Sequence, residues 1–240
     1  MKKAFPTYFG GKEASGVFQT IINKIRPHSV FIEAFGGNYT VSRKLNNKAF
    51  KIVNDIAKNT FSQYPENVNN WAFTNYDYQT ICDITLLNGK MIPNFKPCIY
   101  FDPPYLLESR KSQQLVYEHE MTVQDHEVFL DYATRLKNKA DILISCYPNE
   151  LYKDTLADWW MIEYQGHDRY SKTTEWLFMN YDPEKITELH DISYYGKDNT
   201  DRQRIKRMIE NTLRKTQELD PIIQNFYVAS VAQKFYNGSN

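Results

Sequence analysis

The residues best suited to chemistry form a tetrapeptide directly after an apolar run. Asp102-Pro103-Pro104-Tyr105 follows Cys98-Ile99-Tyr100-Phe101, whose composition is typical of a buried strand. Consecutive prolines fix φ and remove backbone donors, so they would hold the Pro103 carbonyl outward on a stiff turn. That carbonyl and the Asp102 carboxylate could accept both N–H bonds of a planar exocyclic amine, and Tyr105 could stack on its base. The pattern indicates methylation of such an amine; the alternative is a Pro-Pro turn that ends a strand.

Candidate ligands for an adenosyl cofactor lie upstream, at the ends of other apolar runs. The segment 31–38 passes from a predicted strand into Gly36-Gly37, where a ligand could approach the backbone closely. Asp55 could bind both ribose hydroxyls, and Asp77 could accept a hydrogen bond from the adenine amine. The alternatives are a structural tight turn, a solvated carboxylate and a helix cap. The segment matches neither GxGxxG nor GxxxxGK[ST], which argues against a nicotinamide dinucleotide and a phosphate loop.

A third candidate segment lies near the N-terminus, at Tyr8-Phe9-Gly10-Gly11-Lys12. It combines aromatic side chains, a flexible glycine pair and a cation. Lys12 could pair with the carboxylate of a methionine moiety, and the glycines would let the segment lie against the cofactor. An exposed lysine before a helix explains the same pattern equally well.

The elements that must position these residues follow an α/β pattern, with short apolar runs separated by room for helices. Parallel strands are predicted at 29–35, 51–55, 71–76, 97–102 and 140–147. The runs 160–167 and 174–181 are too close together for a helical crossover, so they predict an antiparallel hairpin that closes the sheet. Helices are predicted at 13–24, 41–46, 122–137, where Thr122 could be the cap, and 201–219. The pattern predicts a catalytic domain at 1–189, followed at 190–240 by a linker, the polar segment 190–199, and a basic C-terminal helical segment.

The composition excludes several classes of protein. Lys plus Arg and Asp plus Glu number 29 each in 240 residues, so net charge alone gives no argument for a nucleic-acid partner. The cysteines are odd in number and widely separated, which predicts reduced buried thiols and neither disulfides nor a zinc site. Since the chain shows neither a membrane-length apolar run nor a signal-peptide pattern, we expect a soluble cytoplasmic protein without a membrane partner. The three cysteines are Cys82, Cys98 and Cys146.

Taken together, these residues resemble the DNA adenine methylase family, and especially its compact phage-type members. The features that carry the resemblance are, in chain order, Phe9-Gly10-Gly11-Lys12, Glu33-Ala34-Phe35-Gly36-Gly37, Asn54-Asp55, Asp77 and Asp102-Pro103-Pro104-Tyr105. Further similar features are Arg110, Tyr117, Asp125-His126, Ser145-Cys146-Tyr147, Leu151-Tyr152, Trp159, Thr174-Glu175-Trp176-Leu177 and Arg202-Gln203-Arg204-Ile205-Lys206-Arg207. The resemblance therefore spans nearly the whole chain.

The resemblance implies a class I methyltransferase sheet of five parallel strands plus a terminal antiparallel hairpin, with a C-terminal helical appendage. It implies S-adenosylmethionine as cofactor, S-adenosylhomocysteine as product, and no metal. The implied cofactor-binding residues are Tyr8, Gly11, Lys12, Glu33, Phe35, Gly36, Gly37, Asn38, Asp55 and Asp77. The implied catalytic residues are Asp102, Pro103, Pro104 and Tyr105, which would act on the 6-amino group of an adenine flipped out of double-stranded DNA.

Three features depart from the family's pattern. Ala34 replaces the usual proline, and Tyr39 stands where many relatives have a second glycine. The segment between Asn38 and Asp102 is too short for the separate target-recognition domain of larger relatives. Specificity is therefore expected from the loop 106–121 or from the C-terminal basic helix, although charged helix faces are commonly just solvated. The candidate DNA-binding residues are Arg110, Lys111, Arg202, Arg204, Lys206 and Arg207.

Several alternatives to adenine methylation in DNA remain open. Methylation of the cytosine exocyclic amine uses the same geometry, although relatives of that type more often begin the tetrapeptide with Ser. Adenine in RNA is a further candidate, whereas a protein-glutamine methyltransferase would more typically carry Asn at position 102. The alternative from another class is a DNA-binding protein that has kept the fold and lost catalysis, as Ala34 and Tyr39 could suggest.

Overall fold

The computed structural model describes residues 10–13, 16–167, 172–185, 194–196 and 198–237. The chain divides into two compact units at the boundary between Asp191 and Ile192. The strands of the first unit are β1 (Val30–Glu33), β2 (Phe50–Asn54), β3 (Trp71–Thr74), β4 (Pro97–Phe101), β5 (Asp141–Cys146), β6 (Trp160–His167) and β7 (Lys172–Met179). Its helices are α1 (Val17–Ile22), α2 (Thr40–Lys44), α3 (Lys58–Phe61), α4 (Tyr78–Gly89), α5 (Val123–Leu136) and α6 (Glu150–Thr155). The second unit contains α7 (Asn199–Gln217) and α8 (Pro221–Asn237).

The seven strands form one sheet in the order β3-β2-β1-β4-β5-β7-β6. Strands β1 to β5 pair in parallel, and β7 runs antiparallel to both β5 and β6. The strand order reverses between β1 and β4, since β1 lies between β2 and β4. In open α/β sheets such a reversal opens a crevice outside the carboxyl ends of the strands. The register that pairs Glu33 with Tyr100 brings the segments after β1 and β4 side by side at that crevice.

The core lies on both faces of the central strands. Every residue of β1 and β4 is buried, as expected for parallel strands covered by helices on both sides. Helix α5 contributes Phe129 and Leu130 to the core cluster beside Ile99 and Ile144. It begins at a capping box in which the Thr122 hydroxyl accepts from the Asp125 N–H. The predicted Thr122 cap is therefore confirmed, and with it the helix that covers β4 and β5.

Several predicted boundaries differ from the structure. Strand β1 ends at Glu33, because the chain turns after it into the glycine segment. Helix α1 starts only after Gly16, whose φ of 98° is left-handed. Helix α7 begins at Asn199, because the Asp198 side chain caps it. The predicted linker 190–199 falls partly outside the described residues. Helices α3, α4, α6 and α8 were not predicted; α4 and α8 are rich in β-branched and aromatic residues, which favour strands.

Two further expectations about composition can be compared with the structure. The three cysteines are buried and form no disulfide, as predicted. None of the helices in the described part of the chain combines the length and apolar composition that crossing a bilayer requires.

Candidate active site

A cavity of about 290 Å³ lies where the segments that follow β1, β2, β3 and β4 converge. Each predicted catalytic or cofactor-binding residue that the structure describes lines it. Those residues are Gly11, Lys12, Glu33, Phe35, Gly36, Gly37, Asn38, Asp55, Asp77, Asp102, Pro103, Pro104 and Tyr105. Tyr8 lies outside the described residues. The sequence motifs therefore converge on one cavity.

The glycine turn after β1 depends on close backbone packing. The Gly36 N–H donates to the Asn54 carbonyl at 2.6 Å, and a Cβ at Gly36 would lie 2.3 Å from Tyr64 Oη and 2.8 Å from Val53 Cγ1. Gly37 has a φ of 50°, a conformation that glycine adopts without steric cost. The structural interpretation of these glycines as a tight turn is therefore confirmed, and that turn forms part of the cavity wall.

Ala34 and Tyr39, two of the three departures from the pattern of the family that the sequence resembles, fit this turn. The Ala34 N–H donates to the Tyr100 carbonyl at 3.1 Å, a bond between β1 and β4 that proline could not form. Tyr39 has a φ of 42°, a left-handed conformation that suits the glycine of relatives. Its ring packs edge-on against Tyr64, Trp71 and Phe73. Packing therefore holds Tyr39 in a conformation that a tyrosine rarely adopts by itself.

Asn54 joins the ends of three strands, a role that the sequence analysis did not assign. Its side-chain amide donates to the Ala34 carbonyl at 3.1 Å and to the Tyr76 carbonyl at 2.9 Å. Its Oδ1 accepts from the Tyr76 N–H at 3.0 Å and from the Thr74 hydroxyl at 2.8 Å. All four hydrogen bonds that a buried asparagine side chain can make are thereby satisfied.

The two carboxylates that were predicted to bind the adenosyl group also accept hydrogen bonds from the protein. Asp55 accepts from the N–H groups of Gly37 and Ala57, both at 2.8 Å, and burial raises its pKa. Asp77 caps α4 by accepting from the Thr80 N–H at 2.9 Å and the Thr80 hydroxyl at 2.5 Å. Although partial burial opposes it, these hydrogen bonds lower the pKa of Asp77. The capping alternative is therefore confirmed for Asp77, and both carboxylates line the cavity as well.

Glu33 and Phe35 form the part of the cavity wall that follows β1. The Glu33 carboxylate accepts from the Ser42 N–H at 2.8 Å, and burial raises its pKa to about 7. The Phe35 ring stacks on Tyr78 at a centroid distance of 5.4 Å and meets Phe101 edge-on. The wall is thus an aromatic surface beside a carboxyl group that a neighbouring positive charge would ionise more fully.

Lys12 contacts the tetrapeptide Asp102–Tyr105 directly. Its ammonium lies 3.0 Å from Asp102 Oδ1 and 3.1 Å from Glu175 Oε2, and it donates to Tyr105 Oη at 2.6 Å. Burial by itself would lower the pKa of Lys12, but the carboxylates of Asp102 and Glu175 raise it well above its usual value. Within the protein, the Lys12 ammonium therefore pairs with the carboxylates of Asp102 and Glu175, and its expected pairing with a cofactor carboxylate stays a prediction.

Asp102 and Tyr105 both lie beside the buried charges of Lys12 and Glu175. Burial raises the pKa of Asp102 to about 6; Lys12 opposes the shift, and the charge of Glu175 adds to it. The Tyr105 hydroxyl donates to Glu175 Oε2 at 2.7 Å. The Tyr105 ring meets the Tyr147 ring edge-on at 4.5 Å. Tyr147 thus adds a second aromatic ring beside the tetrapeptide, at the end of β5.

Glu175 on β7 is a site residue to which the sequence analysis gave no role. Its Oε2 accepts from Lys12, from Tyr105 and, at 2.8 Å, from the Tyr164 hydroxyl. Gly166 on the paired strand β6 leaves space for the Glu175 carboxylate, since a Cβ there would lie 2.0 Å from Glu175 Oε1. The available signal was a carboxylate directly before the apolar run Trp176-Leu177-Phe178-Met179 of β7.

The loop 106–121 borders the cavity, and Arg110 is buried inside it. The Arg110 guanidinium donates to the Tyr105 carbonyl at 2.7 Å and to both carboxylate oxygens of Glu120, at 3.0 and 2.5 Å. This corrects the expected DNA contact, because the side chain is 5% exposed and its donors hold the loop to the tetrapeptide. Lys111 is exposed. The loop residues 117–121 also line the cavity, a contribution that the sequence analysis did not predict.

The four residues of α7 that were predicted to contact DNA divide into one buried and three exposed side chains. Arg202 is buried in the second unit, and its guanidinium donates to the Gly196 carbonyl at 3.5 Å. The Arg202 side chain therefore contacts the protein itself, and its predicted DNA contact stays a prediction. Arg204 pairs with Asp201 at 2.7 Å, and Lys206 lies 3.8 Å from Glu210. Arg204, Lys206 and Arg207 are exposed.

The sheet order and the cavity at the strand reversal together define a class I methyltransferase fold. A family model described as the D12 class N6 adenine-specific DNA methyltransferase matches residues 37–169. The chain belongs to this family. No curated protein sequence matches the chain significantly.

Solved structures of low sequence identity are similar in part. A SAM-dependent methyltransferase from Agrobacterium tumefaciens is 16% identical, with a TM-score of 0.42, over 67% of this chain and 58% of that chain. A Streptococcus mutans protein described as a methyltransferase, in complex with SAH, is 15% identical, with a TM-score of 0.38, over 70% of this chain and 94% of that one. An rRNA methylase from Streptococcus thermophilus is 9% identical, with a TM-score of 0.41, over 68% and 92%. At these TM-scores the likenesses do not bear on the substrate.

Proposed function

We propose that the chain transfers the methyl group of S-adenosylmethionine to the 6-amino group of adenine in double-stranded DNA. The observation that carries the proposal is the position of Asp102-Pro103-Pro104-Tyr105, which lines the same cavity as the glycine turn after β1. A methyl acceptor held by the first segment would therefore face a methyl donor held by the second. Membership in the D12 family supports adenine in DNA as the substrate.

The residues of the cavity fit S-adenosylmethionine chemically. The turn at Gly36 brings backbone to the cavity wall where a Cβ could not fit, and Phe35 offers an aromatic surface. Glu33 and Asp55 are buried carboxyl groups on the same wall, which suits a cofactor that carries a sulfonium. When bound, the cofactor supplies an electrophilic methyl group. We assign the ribose hydroxyls to Asp55 and the adenine amine to Asp77, each of which keeps acceptor capacity beyond its structural hydrogen bonds.

The target amine would be held by Asp102 and Pro103. An exocyclic amine is a weak nucleophile because its lone pair is delocalised into the ring. When the Asp102 carboxylate and the Pro103 carbonyl accept hydrogen bonds from its two N–H groups, the nitrogen can pyramidalise and direct its lone pair toward the methyl group. The new N–C bond would form as the methyl–sulfur bond breaks, with S-adenosylhomocysteine as the leaving group, and one amine proton would then pass to water. The ionised Asp102 would also stabilise the positive charge that grows on nitrogen, a preorganised electrostatic contribution that counts for more in a dry site.

The base itself would be held by aromatic rings after leaving the duplex. A base inside a duplex is inaccessible, so an enzyme that modifies it must first unstack it. Contacts between the base and the pocket then offset the free-energy cost of unstacking. Tyr105 lines the cavity, and Tyr147 lies edge-on against it. We assign to Tyr105 the stacking contact with the flipped adenine, with Tyr147 supporting the ring from behind.

Contacts with the duplex are assigned to the exposed cations. Lys111 in the loop 106–121 and three exposed residues of α7 are suited to phosphate oxygens, whereas Arg110 and Arg202 are buried and hold structure. In this proposal residues 1–189 carry out methylation and residues 190–240 position DNA. Phosphate contacts of this kind give salt-dependent affinity without sequence readout. The three residues of α7 are Arg204, Lys206 and Arg207.

Nucleoside analysis of treated DNA tests the proposal. The purified protein is incubated with methyl-labelled S-adenosylmethionine and mixed-sequence duplex DNA, and the digested nucleosides are separated by mass spectrometry. Label in N6-methyladenine is expected, and structured RNA added as a competitor should not remove it. Label in N4-methylcytosine, label only in RNA, or no label in any nucleoside would overturn the proposal.

A further inference from the structure

We infer that Glu175 is a positioning residue of the methylation site, which balances the charge of Lys12 and thereby keeps the Asp102 carboxylate available to the target amine. The inference rests on the proposed function. Both Lys12 and Glu175 lie outside the residues 37–169 that match the family model.

The Lys12 ammonium is buried among three acceptors. Its side chain is 5% exposed, and Nζ faces Asp102 Oδ1, Tyr105 Oη and Glu175 Oε2 at 3.0, 2.6 and 3.1 Å. A buried ammonium needs a countercharge, because water cannot solvate it. The positive charge of Lys12 is balanced by two carboxylates, Asp102 and Glu175. The more of that charge Glu175 balances, the less the negative charge of Asp102 is neutralised.

The charge count of the cluster explains why Glu175 matters for catalysis. One ammonium and two carboxylates give the cluster a net charge of about −1 when all three are ionised. If position 175 were uncharged, Lys12 and Asp102 would form a neutral pair. The positive charge that grows on the amine nitrogen would then face a neutralised carboxylate, and the transition state would lose electrostatic stabilisation.

Other contacts hold Glu175 in the ionised form. The hydroxyls of Tyr105 and Tyr164 donate to its Oε2 at 2.7 and 2.8 Å. The Tyr164 hydroxyl lies 3.3 Å from Ser145 Oγ, which in turn lies 2.9 Å from the Tyr100 hydroxyl. Burial alone would raise the pKa of Glu175, but Lys12 and the two tyrosine hydroxyls lower it. Glu175 is therefore the stronger acid of the pair of carboxylates.

The same geometry explains how the target amine could replace Lys12 at Asp102. A carboxylate can accept several hydrogen bonds, so the target amine can donate to Asp102 beside the Lys12 ammonium or in its place. In the second case Lys12 would keep its contacts with Tyr105 and Glu175 and would not be left as an unpaired buried charge. Glu175 thus gives the cation a second partner while the substrate occupies the first.

The pH at which Asp102 ionises depends on the charges of Lys12 and Glu175. The titratable groups that interact with Asp102 come from the N-terminal segment, from β1, from β4 and its following turn, from β5, from α6 and from the β6–β7 hairpin. They are Lys12, Glu33, Tyr100, Tyr105, Cys146, Tyr152, Tyr164 and Glu175. Of these, the Glu175 charge raises the pKa of Asp102 and the Lys12 charge lowers it. Removing the charge at position 175 should therefore lower the pH at which Asp102 becomes ionised.

The first test compares Glu175→Gln with Glu163→Gln, a matched control at an exposed carboxylate on β6 of the same hairpin. Turnover is measured from about pH 5 to about pH 9 together with thermal unfolding. For Glu175→Gln we expect kcat to fall roughly tenfold to hundredfold and the acid limb to move to lower pH. The KM for S-adenosylmethionine should change by less than about threefold, as for a change that acts mainly in the transition state. A Glu175→Gln profile that matches the control would overturn the inference.

Two further variants separate charge balance from a purely structural role. The double variant Lys12→Met/Glu175→Gln removes the cation as well, so Asp102 regains a net negative charge; it should be more active than Glu175→Gln alone. Additive losses in the double variant would contradict charge balance. Glu175→Asp keeps the charge and covers the case in which Glu175→Gln does not fold. It should keep the acid limb where it is in the wild type, and a shift to lower pH would overturn the inference.

Failure of this inference can be distinguished from failure of the proposed function. If the wild-type protein forms no methylated adenine, the proposed function is wrong and the inference falls with it. If the wild type is active and Glu175→Gln behaves like Glu163→Gln, the role of Glu175 alone is wrong.

Discussion

The Lys12 ammonium lies 3.0 Å from Asp102 Oδ1, although the two residues are far apart in sequence. Because the Lys12 charge lowers the pKa of Asp102, Lys12→Met should raise that pKa above its value of about 6 and move the acid limb of the activity profile to higher pH. The measurement is kcat as a function of pH, with the exposed Lys48→Met as control. An acid limb at the wild-type pH in Lys12→Met would contradict the electrostatic role of this pair.

Glu33 should couple cofactor binding to pH. Burial raises its pKa to about 7, so near neutral pH a substantial fraction of Glu33 is protonated. A cationic cofactor favours the ionised form, and the Kd for S-adenosylmethionine should therefore fall as pH rises through about 7. Calorimetry at about one pH unit below and above this value measures the effect.

Two controls accompany the Glu33 titration. Glu33→Gln removes the titrating group and should make the affinity for S-adenosylmethionine independent of pH over this range. S-adenosylhomocysteine lacks the sulfonium charge and should show a weaker dependence in the wild-type protein. Equal pH dependence of the wild type and Glu33→Gln would rule out this assignment.

Gly36 should not tolerate a side chain. In Gly36→Ala the new Cβ would meet Tyr64 Oη at 2.3 Å and Val53 Cγ1 at 2.8 Å. We expect a loss of about 1–3 kcal/mol in the free energy of unfolding from overpacking, with weaker binding of S-adenosylmethionine. Denaturant unfolding and calorimetry provide the two measurements.

Tyr64→Phe tests the cause of that loss. It removes the hydroxyl nearest the new Cβ, and alone it should cost about 1 kcal/mol through the lost hydrogen bond to the Gly37 carbonyl. Because the two positions are in contact, the double variant should be more stable than the sum of the single changes implies. Strict additivity would show that the clash is not with this hydroxyl.

Arg110 and Lys111 should have opposite effects although they are adjacent. Breaking the buried pair of Arg110 and Glu120 should cost about 3 kcal/mol in the free energy of unfolding, so Arg110→Ala should lower stability without changing the salt dependence of DNA binding. Lys111→Ala should leave stability unchanged and reduce the slope of log K against log salt by about 1. Filter binding at several salt concentrations measures the slope. If Arg110→Ala also reduced this slope, Arg110 would contact DNA, as the sequence predicted.

Much of the fold could be predicted because parallel strands are short apolar runs bounded by turn residues. The carboxyl ends of parallel strands meet at one edge of the sheet. The sequence therefore also predicts that the glycine turn after β1, Asp55, Asp77 and Asp102 lie together at that edge. Helix α4 was missed because β-branched residues such as Ile81 and Thr85 favour a strand, whereas the Asp77 cap and tertiary packing select a helix.

The partners of the charged residues were harder to predict. No local pattern connects Lys12 with Glu175, because their contact depends on β7 lying beside β5 in the folded sheet. Arg110 illustrates the same limit at short range. An arginine in a polar loop suggests a phosphate contact, but Glu120 in that loop accepts its guanidinium instead.

The most direct test of the account is single-turnover methylation by Asp102→Ala, measured as N6-methyladenine formed in duplex DNA after the binding of S-adenosylmethionine has been verified by calorimetry. Glu175 remains in this variant as a partner for Lys12, so the buried cation is not left unpaired. The account predicts wild-type affinity for the cofactor and methylation slower by at least about 100-fold. Methylation at close to the wild-type rate, with the cofactor bound normally, would contradict it.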